Sequence, residues 1–320
     1  MTPLKPPALT PGDLVSVCAP SGPVDASLFQ TGLETLKTRY RVTVPPGLES
    51  RRNGYLAGDD ATRREELQEA FADPQVRAVF CARGGYGAMR IVDDLPPDFG
   101  LRHPKPLVGF SDITTLLLWL LGQGLVAIHG PVVTQLGSLS PQQLRHLWRL
   151  LEDPAYRPVY TASSTVPLNE PPSPSPPPQK TSPLEGVLWG GNLAMLASLV
   201  GSPTFEAPPR RGLLAIEEVS EPPYRLDRMI TQLHRAGLLQ DVSAVVVGQL
   251  TAPLQDEAKT ASRQKALERT VLARFAELNI PCFVGFPWGH RSLNLAWPLG
   301  VEARVVPEEN RLELLESPVS

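Results

Sequence analysis

The chain has 320 residues, enough for about two domains at roughly 150 residues each. Its 42% hydrophobic and 20% charged residues supply one or two buried cores, and exclude a disordered chain, a collagen or a disulfide-stapled miniature fold. The formal net charge is −3 with no basic block, which excludes a dedicated nucleic-acid binder.

The opening residues MTPLKPPALTPGD carry no apolar core of a secretory signal, so a cytoplasmic protein is expected. Asp13–Ala19 is apolar and β-prone, and Pro20-Ser21-Gly22-Pro23 stops it. Ala26–Thr38 has helical spacing at Leu28, Leu33 and Leu36. Arg41–Val44 reads as a short strand. Asp59 and Asp60 are placed to cap a helix over Ala61–Phe71, with Glu65 in capping-box position. Val76–Ala82 reads as a buried strand, followed by Gly84-Gly85-Tyr86-Gly87 and a helix to about Asp94. Pro106–Phe110 is a strand, Asp112–Leu121 a helix and Leu125–His129 a strand. This alternation implies a mostly parallel sheet with helices on both faces and a site at its C-terminal strand ends.

Eight prolines fall in Pro167–Pro183, a stretch that reads as an extended connector. The expected organisation is an N-terminal α/β domain over 1–160, a Pro-rich linker over 161–183 and a smaller C-terminal mixed α/β domain over 184–320. Beyond the linker, Asn192–Val200 looks helical, Gly212–Val219 a strand, Pro223–Ala236 a helix, Ala244–Leu250 a strand and Glu257–Leu278 a long helix. Short strands follow at Cys282–Phe286, Leu293–Trp297, Val301–Val306 and Arg311–Leu315, the last two paired as a hairpin across Pro307–Asn310. Two uncharged stretches, Ile113–Ile128 and Gly186–Phe205, read as buried core and not as membrane spans, the first being short and the second broken by Gly and Pro. Cys18, Cys81 and Cys282 lie far apart without zinc-ligand spacing, so free thiols and no metal are expected.

The sharpest local signal is Val108-Gly109-Phe110-Ser111-Asp112-Ile113-Thr114. A strand runs into Gly-x-Ser and a helix starts at once, the geometry of a nucleophile elbow. The Asp112 N–H would then face a developing oxyanion. Ile113 stands where such an elbow has its second glycine, and a Ser/Asp helix cap is the competing reading. Arg83-Gly84-Gly85-Tyr86-Gly87 lacks a nucleotide fingerprint. It reads as a second oxyanion donor at the same sheet edge, or as a tight turn. His290, in a loop, is a candidate general base or a surface histidine. His129 is given a structural hydrogen-bonding place. Glu217 and Glu218 end an apolar strand; one of them could orient a histidine, or the pair could bind a metal. Strand alternation puts the two on opposite faces, so that only one reaches His290. Gly191 and Asn192 are candidate substrate contacts facing a cleft, Asn192 alternatively capping the next helix.

In series these segments resemble the LD-carboxypeptidases, serine peptidases that include muramoyltetrapeptide carboxypeptidase and the microcin C immunity peptidases. The residues that carry the resemblance are GDLVSVCAPSGPV (Gly12–Val24), RGGYGAMR (Arg83–Arg90), VGFSDIT (Val108–Thr114), HGP (His129–Pro131), GGNLAML (Gly190–Leu196), EEVSEPPYRLDRM (Glu217–Met229) and GHRSLNLAWPLG (Gly289–Gly300). The resemblance implies a parallel α/β domain followed by a mixed α/β domain with a barrel-like sheet, and an active site between them. It implies Ser111 as nucleophile, His290 as general base and Glu217 as its orienter, with Gly85 and Asp112 at the oxyanion and Tyr86, Gly191 and Asn192 toward substrate. It further implies a homodimer without cofactor or metal. The implied reaction removes the terminal D-alanine from cytoplasmic muropeptide tetrapeptides in peptidoglycan recycling. An amidase acting on microcin-like peptidyl nucleotides, or a non-catalytic two-lobed binding protein, are the alternatives.

Overall fold

A computed structural model describes residues 2–163, 183–203, 205, 208–251 and 260–320. The first strand, β1 (Leu14–Cys18), is apolar and almost wholly buried. Helix α1 (Ala26–Lys37) starts where the Asp25 side chain accepts from Leu28 N, and buries Phe29, Leu33 and Leu36 at helical spacing. Then come β2 (Arg41–Thr43) and α2 (Asp60–Ala72). Asp59 caps α2 by accepting from Thr62 N, which makes Thr62 the third helical residue and leaves Glu65 out of capping-box position. After β3 (Val76–Cys81) the chain makes two short 3₁₀ turns, Ala88–Arg90 and Val92–Asp94, in place of the continuous helix expected there. The first turn follows Gly87 at φ 140°, and its first N–H is taken by the Asp112 side chain. Next are α3 (Phe99–Arg102), β4 (Leu107–Gly109), a 3₁₀ turn over Ser111–Ile113, α4 (Thr114–Gly122), β5 (Ala127–His129), α5 (Val133–Leu136) and α6 (Pro141–Glu152). Helix α6 carries a capping box between Ser140 and Gln143 and has proline in its first turn.

The rest of the chain supplies β6 (Val159–Thr161), β7 (Leu184–Asn192), α7 (Leu193–Ser198), β8 (Gly212–Val219), α8 (Pro223–Arg235), β9 (Val242–Thr251), α9 (Thr260–Glu277), β10 (Cys282–Val284), β11 (Trp297–Leu299), β12 (Glu302–Val306) and β13 (Arg311–Leu314). Strand β7 is not among the expected elements, since Gly190 and Gly191 read there as breakers of a helix. The strand's glycines let β7 lie against β8: a Cβ on Gly186 would meet the Arg211 carbonyl, and one on Gly190 the Ala215 carbonyl. The strand expected at Leu293–Trp297 does not form before Trp297. Its backbone is committed elsewhere: Leu295 N donates to Pro287 O, and the Ala296 carbonyl accepts from Tyr160 Oη.

Among the described residues the strands make two sheets. The first has the order β11-β5-β4-β3-β1-β2 and is parallel except for β11. Its carboxyl ends deliver the Gly84–Gly87 loop, Ser111 and His129 to one edge, where an open α/β sheet carries its site. The second has the order β10-β9-β8-β7-β12-β13-β6, parallel from β10 to β7 and antiparallel beyond. Its two edges approach each other, since Ser163 N beyond β6 donates to Gly285 O beyond β10 at 2.8 Å. That bridge gives the sheet its barrel-like form without strand closure. The chain crosses between sheets three times: it enters the second at β6, returns to the first at β11, which pairs with β5, and enters the second again at β12. The Pro-rich linker expected over 161–183 lies outside the described residues from 164 to 182. Both uncharged stretches are core, in α4 with β5 and in β7 with α7; no helix among the described residues is long and apolar enough to cross a membrane. The three cysteines are free thiols.

Candidate active site

Ser111 follows β4 directly and opens the 3₁₀ turn that leads into α4. Its backbone lies in the left-handed region at φ 63°, a costly conformation for a residue with a side chain. Neither Ser111 nor Asp112 caps a helix. Phe110 and Ile113 hold the cap positions, without side-chain cap bonds, so the elbow geometry is the one realised. The missing second glycine has a local explanation. Ile113 packs onto Gly109, where an added Cβ would meet Ile113 Cγ2 at 2.8 Å. The glycine before the serine therefore provides the room that the turn requires.

The glycine loop lies against this turn, as expected. A Cβ on Gly84 would sit 3.0 Å from Ser111 Cβ and 3.2 Å from its Oγ. Gly85, at φ 111°, is exposed, and its N–H has no hydrogen-bond partner among the described residues. Tyr86 is 41% exposed, its ring 5.7 Å from that of Tyr55. The Asp112 side chain has a place that the sequence did not reveal. It is buried, and its Oδ2 accepts from Ser21 Oγ at 2.5 Å and Ala88 N at 2.9 Å. One carboxylate thus ties the Pro20–Pro23 segment and the glycine loop to the serine turn. Burial raises its pKa against the lowering effect of those two bonds.

On the other side, His290 Nδ1 is 2.7 Å from Glu217 Oε2. Glu217 is completely buried at the end of β8. Burial would raise its pKa, but the charge and hydrogen bond of His290 outweigh that and hold it below the ordinary value. Burial would likewise lower His290, yet the charge and hydrogen bond of Glu217 leave its pKa raised. The His290 ring lies 4.7 Å from that of Phe110, the residue preceding Ser111. The loop bearing His290 is braced by Gln249, a residue that sequence reasoning passed over. Gln249 Oε1 accepts from Arg291 N at 2.8 Å, and its Nε2 donates to Leu293 O at 2.6 Å.

Of the two places expected for Asn192, the helix cap is the one realised: it is buried, its Oδ1 accepts from Met195 N to cap α7, and its Nδ2 donates to Glu217 Oε1 at 3.2 Å and Glu218 Oε1 at 3.1 Å, so its side chain is not free for substrate. At Gly191 a Cβ would meet Thr114 Cγ2 at 2.5 Å, so the backbone there packs closely on the start of α4. The two glutamates, expected on opposite faces, both reach Asn192, while Glu217 is the one that bonds His290. Glu218 also accepts from Ala194 N and Val219 N; burial and the charge of Glu217 push its pKa up to about 7. His129 makes no hydrogen bond through either ring nitrogen among the described residues, contrary to the place given it. It stacks on Trp297 at 4.7 Å, and burial pushes its pKa down to about 4. The described residues hold no cluster of three or more His, Cys, Asp or Glu placed to bind a metal.

The profile of the LD-carboxypeptidase N-terminal domain matches residues 15–130, and that of the LD-carboxypeptidase C-terminal domain matches residues 185–305. The chain is 35% identical over 308 residues to the murein tetrapeptide carboxypeptidase of Pseudomonas aeruginosa, covering 93% of this chain and 94% of that protein. It superposes on the crystal structure of muramoyltetrapeptide carboxypeptidase from Oxalobacter formigenes with a TM-score of 0.78 at 29% identity, over 94% of this chain and 97% of the other. It also superposes on a microcin C7 self-immunity protein with a TM-score of 0.83 at 22% identity, over 99% and 100% of the two chains, a likeness of fold alone.

Proposed function

Because this chain belongs to the LD-carboxypeptidase family, we propose that it is a serine carboxypeptidase that removes the terminal D-alanine from murein tetrapeptides. The observation that carries the reading is the His290–Glu217 pair at 2.7 Å, with Phe110 linking its ring to the left-handed Ser111. In this reading Ser111 Oγ attacks the scissile carbonyl and passes its proton to His290 Nε2. Glu217 keeps the Nδ1 proton in place and stabilises the imidazolium. The Gly85 and Asp112 N–H groups receive the oxyanion, and Tyr86 contacts substrate from the exposed side. His290 then protonates the leaving amine, and water repeats the sequence on the acyl-enzyme. An activated hydroxyl and backbone donors suffice for this chemistry, so the reading includes no metal and no cofactor.

Defined tri-, tetra- and pentapeptide stems, followed by mass spectrometry, test it. Loss of one alanine from the tetrapeptide is the expected result; an intact tetrapeptide overturns the reading. Hydrolysis of an acyl-sulfamoyl adenosine in its place would favour the microcin-type amidase. The proposal extends to a cytoplasmic homodimer acting in peptidoglycan recycling. Its support is the family likeness, and sedimentation and cell fractionation are its checks.

A further inference from the structure

We propose that Arg83, with Arg52 beside it, binds the carboxylate of the D-amino acid that leaves. The inference rests on the carboxypeptidase reading. A peptidase that removes one terminal residue has a charge to recognise, because the carboxylate is separated from the scissile nitrogen by a single carbon. The cation that meets it must therefore lie close to the nucleophile. Arg83 immediately precedes Gly84, the glycine packed on Ser111. Its Nη1 donates to Pro23 O at 2.6 Å, and Arg52 Nη2 donates to the next carbonyl, Val24 O, at 3.0 Å. Both guanidiniums are thus tethered to adjacent residues of one segment. Gly22, at the start of the same segment, packs on Gly85, where an added Cβ would lie 3.3 Å from Gly22 Cα.

The neighbouring arginines are already matched. Arg51 pairs with Glu66, while Arg63 and Arg90 share Asp60. Arg291, beside His290, has no carboxylate partner among the described residues, but it belongs to the other side of the site and donates to Gln264 Oε1 of α9 at 2.6 Å. Arg52 and Arg83 are both exposed and pair with no carboxylate among the described residues. Each spends one nitrogen on a backbone carbonyl, which tethers the group and leaves its remaining N–H donors without a carboxylate partner among the described residues. A fixed planar fork is the arrangement that recognises a carboxylate through paired hydrogen bonds.

The test compares a tetrapeptide stem ending in D-alanine with the same stem ending in D-alaninamide, for the wild type, Arg83→Gln, Arg83→Lys and Arg52→Gln. The wild type prefers the free acid. Arg83→Gln loses about 10–100-fold in kcat/KM on the acid, mostly through KM, and its acid-to-amide ratio falls at least about tenfold. Arg83→Lys restores part of that ratio, and Arg52→Gln lowers it less than Arg83→Gln does. A wild type that prefers the acid, with an Arg83→Gln ratio equal to its own, overturns the subsite and leaves the carboxypeptidase reading standing. A wild type that releases nothing from either peptide removes both. Should Arg83→Gln be inactive on both peptides, Arg52→Gln decides: an unchanged ratio there overturns the subsite.

Discussion

A serine held at φ 63° keeps its strained backbone only because its surroundings enforce it, here Gly84 against its side chain and Ile113 over Gly109. Ser111→Ala and His290→Ala are each expected to remove about 10³-fold or more of turnover, and the double variant to be little worse, because such groups act as a unit. Additive losses in steady-state kinetics would count against the assignment. The two glutamates separate more sharply. Glu217 is paired with His290 and raises its pKa above the ordinary 6.5, so a neutral base is available only above that value. The wild-type kcat/KM should rise with pH through a midpoint above about 6.5. Glu217→Gln removes the charge that holds the proton, so this midpoint moves down while turnover falls about 10²–10⁴-fold. Glu218→Gln, two of whose acceptor contacts are the Ala194 and Val219 N–H groups, should lose stability first and keep turnover within about tenfold. A midpoint unmoved in Glu217→Gln would break the link between the pair and catalysis. Gly-x-Ser-Asp before an apolar helix and Glu-Glu after an apolar strand made these residues legible in the sequence. Asn192 is legible as the cap of α7 but not as the partner of both glutamates, and His129 is legible only as a polar residue at a strand end. Their environments are built by Glu217 and Trp297, far along the chain, and no local pattern encodes that.

Elements legible in the sequence share a trait: their signal is local. The buried run of β3, the capped periodic α1 and the apolar α4 each declare themselves within a dozen residues. Strand β7 does not, because what makes it a strand is the approach of β8 to its glycines. This gives a prediction at the same scale. Gly190 sits at φ 130°, and a Cβ there would run into the Ala215 carbonyl. Gly190→Ala must distort the backbone or push β8 away, at a cost of roughly 2–6 kcal/mol from strain and overpacking together. Thermal unfolding should show a midpoint lower by several degrees. Gly12→Ala is the control, since Gly12 has a positive φ of 89° but nothing within 4 Å of an added Cβ. It should lose distinctly less, and equal losses would mean that backbone conformation alone, not the approach of β8, is what Gly190 serves.

The proposed nucleophile stands on the first sheet, while Glu217 stands on the second, so the reaction depends on how the sheets are joined. Among the features that join them are β11 pairing with β5, the bond from Gln143 to Ser292 O, and the contact between α4 and the end of β7. The last lies nearest the chemistry. Thr114, fully buried in the first turn of α4, accepts through Oγ1 from Asn192 N at 3.0 Å. Asn192 in turn donates to both glutamates, and Glu217 holds His290. A short chain of bonds thus runs from the serine turn to the base without passing through substrate. Thr114→Val keeps the shape and the packing against Gly191 but removes the acceptor. It leaves a buried N–H unsatisfied, which costs about 1–3 kcal/mol. Two outcomes are expected together: a lower thermal midpoint, and a fall in kcat of about tenfold with KM little changed, because misplacing the base hinders the chemical step more than binding. Thr114→Ser, which keeps the hydroxyl, should recover kcat while remaining less stable for want of its methyl. If Thr114→Val loses stability but keeps full kcat, this bond secures the junction of the sheets without setting the position of His290.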